Sequence, residues 1–345
     1  NGVVQTSFRV GTPIQETPFS IALQPDGKIV VAGGENNPNT SGPGQDYTLL
    51  ARYNGTAVTV NNPALRIADF DGDGKSDASV FRNGTWFINP STAPSLAPTS
   101  FYGVQFGLAT DKLAPADYDG DGKTDVAVWR ESEGNFYILN SSNNSVRVEN
   151  FGLVGDVLTV GDYDGDGKAD LSVYREGAQS YFFYRSSLDN PNGNVTYLPW
   201  GTSGDKAVRG DFDGDGKLDA AVYRASNQTW YIRNSSNGQA TYTTFGLPSD
   251  KRVSGDFDGD GKTDITVFRN GLWIVLQSSN NQIRYINWGT TNDSIVAADY
   301  DGDGKTDFAV WRNGIYYVLN SGNSSVTYQN FGTTGDKTIA SAYVQ

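Results

Sequence analysis

Short apolar runs recur along the chain between turns rich in glycine, asparagine and serine. VAVWR (126–130) and FYILN (136–140) are representative. Their β-branched and aromatic residues fall on both faces, which predicts strands of sheets covered on both sides. Several runs are joined by Asn-Gly, as in FRNGTWFI (81–88), FRNGLWIV (268–275) and WRNGIYYV (311–318). Asn-Gly accepts positive φ at both central positions of a tight hairpin. A further strand leads into an acidic stretch (KLAPADYD, 112–119), and another runs through VRVENFG (146–152). Four antiparallel strands per unit are predicted.

The unit repeats. An acidic loop DxDGDGxxD begins at residues 69, 117, 162, 211, 256 and 299, at intervals of 48, 45, 49, 45 and 43 residues. Each loop's last Asp is followed five positions on by an Arg: Arg82, Arg130, Arg175, Arg224, Arg269 and Arg312. An aromatic-Gly pair comes later (Phe106, Phe151, Trp200, Phe245, Trp288 and Phe331 with their glycines), and five residues beyond each aromatic stands Asp111, Asp156, Asp205, Asp250, Asp293 or Asp336. Length varies only between the Arg and the aromatic, as surface loops do. A period of this size with four strands per unit describes a β-propeller.

Six units occupy 61–331. The C-terminal GDKTIASAYVQ aligns with TDKLAPADYDG, so residues 332–345 read as the first strand of another unit, with Ala342 where a loop Asp should stand. Residues 18–60 carry a different pattern, with strands expected at IALQ (21–24), KIVVAGG (28–34), YTLLARY (47–53) and AVTV (57–60). The expectation is an all-β, seven-bladed propeller of four-stranded antiparallel blades. Its seventh blade would come from 18–60 and be closed by pairing of N- and C-terminal strands, leaving no open edge. The domains would then be an arm at 1–17 and one propeller at 18–345.

Carboxylates at loop positions 1, 3, 5 and 9, with a carbonyl at position 7, offer oxygen donors only. That set suits a hard cation, and calcium tolerates its irregular geometry best. The expected ligands are Asp69, Asp71, Asp73, Asp77 and the Lys75 carbonyl; Asp117, Asp119, Asp121, Asp125 and Lys123; Asp162, Asp164, Asp166, Asp170 and Lys168. The remaining sets are Asp211, Asp213, Asp215, Asp219 and Lys217; Asp256, Asp258, Asp260, Asp264 and Lys262; Asp299, Asp301, Asp303, Asp307 and Lys305. Tyr118 and its equivalents at position 2 should point into the blade core. The loops hold 24 of the 33 aspartates, and six Ca²⁺ would bring the net charge of −13 to about −1. An EF-hand is excluded, because position 12 is a valine inside a strand pattern rather than the bidentate Glu on a helix.

With these loops and FG or WG pairs, residues 61–345 resemble the FG-GAP/VCBS-type calcium-binding propeller repeats of bacterial surface proteins and integrin α chains. Residues 18–60 resemble a delta-60-type bacterial propeller repeat through ALQPDGKIVVAG and LARYN. The resemblance implies a seven-bladed propeller with calcium in hairpin loops. It implies no single activity, since propellers host many.

Composition narrows the function. There is no histidine and no cysteine, so a Ser-His-Asp or Cys-His centre cannot be built. Of the aspartates only Asp26, Asp46 and Asp189 lie outside the repeat, and no pair of the six glutamates is marked by a motif. An enzyme is not expected. The acidic balance disfavours nucleic acid and anionic membranes, and no apolar run is long enough to insert in a membrane. The absence of methionine fits an exported, processed chain at the cell surface or outside the cell. The expected role is a calcium-stabilised structural or adhesive surface or matrix protein. Its partners would be a surface protein or glycan, or copies of itself joined through the strand-like GVVQTSFRV (2–10). The alternative is a lectin-like module. Most tryptophans fall in once-per-blade slots and read as packing.

Overall fold

The computed structural model describes residues 15–23, 29–36, 47–53, 67–92, 100–186 and 194–344. The chain divides into two units, 1–59 and 60–345. In the first, Gln15–Leu23, Ile29–Asn36 and Tyr47–Tyr53 form a three-stranded antiparallel meander. Its first strand carries a bulge between Pro18 and Ser20. That strand is an edge, where a proline's missing N–H costs no ladder bond. The strand expected at 57–60 and most of the arm at 1–17 lie outside the described residues.

The second unit is a propeller of six four-stranded antiparallel sheets. The second blade shows the plan: Lys112–Leu113, Val126–Arg130, Asn135–Leu139 and Val146–Asn150, paired in that order. Burial falls steadily across it. The second strand buries four consecutive residues, the third alternates, and the fourth is largely exposed. A wedge-shaped blade pressed between neighbours produces this gradient, because its two faces are covered near the axis and open towards the rim. The Asn-Gly hairpins are as expected: Asn83 and Gly84 have φ of 50° and 85°, and Asn313 and Gly314 have 51° and 87°.

The expected seven blades are corrected to six, and so is the closure. The C-terminal strand Lys337–Thr338 does not join the N-terminal strands. It pairs with Ala78–Arg82 and supplies the innermost strand that the first loop-bearing unit lacks. The main-chain N–H of Ile339 continues this pairing to the Ser79 carbonyl (3.1 Å). Each loop-bearing unit brings strands two to four and borrows its first strand from the chain just before its loop. Only the first unit must borrow from the far end. Six first strands therefore satisfy six units.

The Arg and Asp of each repeat form a two-pronged ion pair inside one blade. Arg175 Nε and Nη2 both lie 2.8 Å from the Asp156 carboxylate, and Arg224 donates to Asp205 at 2.7 Å from each nitrogen. The same aspartate accepts the N–H three residues earlier, as Asp156 does from Leu153 (2.8 Å). It is both the turn residue and the anchor of the arginine. All seven tryptophan indoles donate to backbone carbonyls, for example Trp129 to Phe151 (2.9 Å) and Trp288 to Tyr317 (3.1 Å). Trp86, Trp129, Trp230 and Trp273 are fully buried. These tryptophans are packing residues, and no exposed sugar platform is built from them.

Candidate metal centres

Each acidic loop joins the first and second strands of a blade, or in the first blade leads straight into the second strand. The position-1 carboxylate organises it. Asp117 accepts N–H from Gly120 and Gly122 at 2.7 and 2.8 Å, and Asp69 does the same with Gly72 and Gly74 at 2.7 and 3.0 Å. Asp119 and Asp121 then each cap the N–H two residues on, at 3.2 and 2.9 Å. The position-9 carboxylate turns back to the position-2 N–H, as Asp125 does to Tyr118 (2.8 Å). The result gathers carboxylate oxygens within 4.8 Å of one another. The sets include Asp69–Asp71–Asp77, Asp117–Asp119–Asp125, Asp162–Asp164–Asp170, Asp211–Asp213–Asp219 and Asp256–Asp258–Asp260. These clusters can hold metal ions. The position-2 aromatics of the second, third and fifth blades, Tyr118, Tyr163 and Phe257, are buried away from the carboxylates.

Crowding and burial mark the carboxyls. Burial first, with neighbouring carboxylates adding to it, pushes Asp77, Asp219, Asp264 and Asp307 up to about 7 and Asp125 up to about 6. Asp256 and Asp299, at position 1, rise to about 6 for the same reason. Oxygen-only donors that resist ionisation until a cation arrives are the chemistry of a hard-cation site.

Two features of the site escaped the sequence reading. The first is a pair of hydroxyl residues after the third strand of the first, second, fourth and fifth blades. Ser141 donates its N–H to Asp125 (2.6 Å) and its hydroxyl to Asp121 (2.9 Å), while the Ser142 hydroxyl reaches Asp119 (2.6 Å). Ser235–Ser236 and Ser278–Ser279 repeat this, and Ser91–Thr92 grips Asp71, Asp73 and Asp77 similarly. The recurring NSS and QSS at 140–142, 234–236 and 277–279 were the available signal.

The second feature is that the loops are fused into one circle. The position-8 N–H of each loop donates to the position-1 carbonyl of the preceding one. Thr124 reaches Asp69, Ala169 Asp117, Leu218 Asp162, Thr263 Asp211, Thr306 Asp256 and Ser76 Asp299, all at 2.6–2.7 Å. The circle closes after six steps, so the loops surround the propeller axis. The position-7 lysine stems follow the same order, lying across the position-4 glycine of the preceding loop. A Cβ on Gly120 would sit 2.9 Å from Lys168 Cε and 3.0 Å from its Cγ, whereas one on Gly122 would meet nothing within 4 Å. Both glycines hold positive φ (81° and 86°), which any L-residue pays for. Gly120→Ala is therefore expected to destabilise more than Gly122→Ala, which should cost about 1 kcal/mol. Lys168→Ala should erase the difference. Chemical denaturation of the four variants checks this, and equal losses at the two glycines would refute the stacked lysine.

A six-bladed propeller whose axis is ringed by acidic, cation-competent loops is a structural or interaction domain. Residues 117–173, 211–267 and 256–310 match the FG-GAP-like repeat, so this stretch of the propeller is built of FG-GAP-type repeats. No curated protein sequence matches it. Among solved structures it is similar to the extracellular domain of a B. thetaiotaomicron protein described as a hybrid two-component system. That match has 11% identity and a TM-score of 0.41 over 92% of this chain and 49% of that one, so this chain spans about half its length. It is also similar to a Bacteroides thetaiotaomicron protein of unknown function (9% identity, TM-score 0.42, 97% and 91% covered) and to Citrobacter koseri AztD (12%, 0.41, 88% and 92%).

Proposed function

We propose that the protein is an extracellular structural or adhesive propeller whose acidic loops each bind Ca²⁺, six in all, and that it performs no catalysis. The observation that carries this reading is the closed circle of acidic loops. Cations there would stiffen every blade-to-blade joint at once. Such a module suits a load-bearing surface or matrix role, with a surface protein, a glycan or further copies of the chain as partner. No helix among the described residues is long and apolar enough to cross a membrane. Self-assembly would use an N-terminal strand, since Gln15–Leu23 is the edge of its sheet. Electron microscopy of the calcium-loaded protein, with and without residues 1–17, tests it: filaments or sheets lost on truncation are expected. Isolated discs from both forms would refute polymerisation.

A lectin-like role has one observation in its favour. The fourth strands of the last four blades present Tyr197, Tyr242, Tyr285 and Tyr328, each 60–64% exposed. Three of them pack edge-on against a third-strand ring at 5.3–5.5 Å. Exposed, braced rings are the surface a sugar face stacks on. Glycan-array binding abolished by Tyr242→Ala would favour this reading, and a blank array would remove it.

A further inference from the structure

One residue breaks the repeat at the axis. The position two before each loop is Ile67, Pro115, Val160, Ser254 and Ala297 in five units, but Arg209 in the fourth. A long cation in a slot otherwise filled by small or apolar side chains marks a functional site more often than a packing solution. Its surroundings sharpen the point. The guanidinium stacks on Tyr343, with Cζ 4.0 Å from the ring centre. Tyr343 belongs to the C-terminal segment that follows the closing strand, and its hydroxyl donates to the Pro115 carbonyl (3.1 Å) on the second blade. The segment thus lies across the channel, because residues before the second and fourth loops meet only there.

Arg209 Nε is buried and has no hydrogen-bond partner among the described residues, and none of their carboxylates forms an ion pair with the side chain. The six strand-end arginines, by contrast, are each forked onto an aspartate. Arg209 instead borders two cavities, of about 90 and 150 Å³. The larger is also lined by Lys123 and Lys168, which have no ion pair among the described residues, and by Asp117 and Asp162. Both oxygens of each of these carboxylates are held by N–H groups of their own loops, at 2.5–2.9 Å. Neither carboxylate forms an ion pair with the guanidinium.

We propose that Arg209 is the anchor of an anion site in the axial channel, taking one small inorganic anion from the size of a halide to that of phosphate. The Nε of this guanidinium is buried without a partner, and the ring of Tyr343 compensates only part of its charge. A cavity of 150 Å³ exceeds the share of several water molecules and accommodates an anion of this size. Water can accept hydrogen bonds from the side chain but supplies no charge.

The test is thermal unfolding of the intact chain at one fixed calcium concentration and constant ionic strength. Sodium gluconate, too bulky to enter, is replaced stepwise by bromide, chloride or phosphate. Wild type should show a saturable rise in Tm with at least one of these anions. Arg209→Met should lose the saturable part and keep only the linear salt dependence. Identical curves for the two proteins, or a purely linear response in wild type, would overturn the site. Should Arg209→Met fail to fold, crystals of the wild type in sodium bromide decide it. An anomalous peak beside the Arg209 guanidinium supports the proposal, and its absence there overturns it.

Discussion

Removing divalent cation from the protein is expected to lower its Tm by tens of degrees. A ligand present at about 100 times its Kd stabilises the folded state by ~2.7 kcal/mol per site. Six such sites contribute on the order of 16 kcal/mol, and in a domain of this size each kcal/mol moves Tm by about 2–4 °C. The circle of backbone bonds between loops makes the loss collective, since loosening one loop withdraws the carbonyl that holds the next. The pH dependence separates this from a general salt effect. In cation-stripped protein, Asp77, Asp219, Asp264 and Asp307 rise to about 7. Carboxyls raised on folding hold extra protons in the native state. Their contribution is full below the unfolded pKa of about 4 and is lost as pH climbs to 7. The stripped protein should therefore grow more stable from pH 7 to pH 5. The calcium-loaded protein should move the other way, because protons compete with the cation for the same oxygens. Calorimetry of both forms across this range should show the gap in Tm closing at low pH. Parallel curves, or a Tm indifferent to cation at pH 7, would contradict a structural metal.

The second large effect is expected at the seam. Asp336 is the counterpart of the aspartate that begins every other blade, but its arginine partner is 254 residues away. Arg82 Nε and Nη2 donate to it at 2.6 and 2.7 Å. The Asp336 side chain is 1% exposed. Burial alone would raise its carboxyl, yet the Arg82 fork and the neighbouring turn hold it below the usual carboxylate value. The pair is therefore fully formed at neutral pH and weakens only in strong acid. Arg82→Ala strands a buried carboxylate, a change that costs about 3–5 kcal/mol. Arg175→Ala strands Asp156 in the same way inside a continuous blade. The local losses should match, but only Arg82→Ala also loosens the strand that closes the ring. Limited proteolysis should release the C-terminal segment from Arg82→Ala and leave it protected in Arg175→Ala, with the former melting lower. Equal melting and equal protection would mean the seam is no weaker than the other joints.

Much of the site was legible because its geometry is local. DxDGDGxxD confines its carboxylates to nine residues, and glycine at positions 4 and 6 dictates where the chain bends. The strands were equally legible, since VAVWR buries four consecutive residues in the way its two-sided apolar pattern foretold. The pairing of each Arg with the Asp that begins its blade was only half visible. Constant spacing said that both were structural, while their contact spans the width of a sheet. The serine pairs were missed although they recur, because hydroxyl residues in a chain rich in Ser and Asn do not stand out until the carboxylates they touch are known.

The sequence by itself determined the strands, the hairpins, the six acidic loops and the propeller class, because each rests on contacts between residues close in the chain. It could not determine the blade count. A C-terminal strand that begins a seventh unit and one that completes the first have the same letters, and GDKTIASAYVQ fits both. The choice depends on which sheet edge is open when the ends meet, and the edge of Ala78–Arg82 is where Lys337–Thr338 pairs. The fusion of the loops into a circle and the isolation of Arg209 on its axis were decided at the same level. Both arise from contacts between neighbouring blades, or between residues on opposite sides of the ring. Periodicity records only that such neighbours exist, and packing determines which groups they bring together.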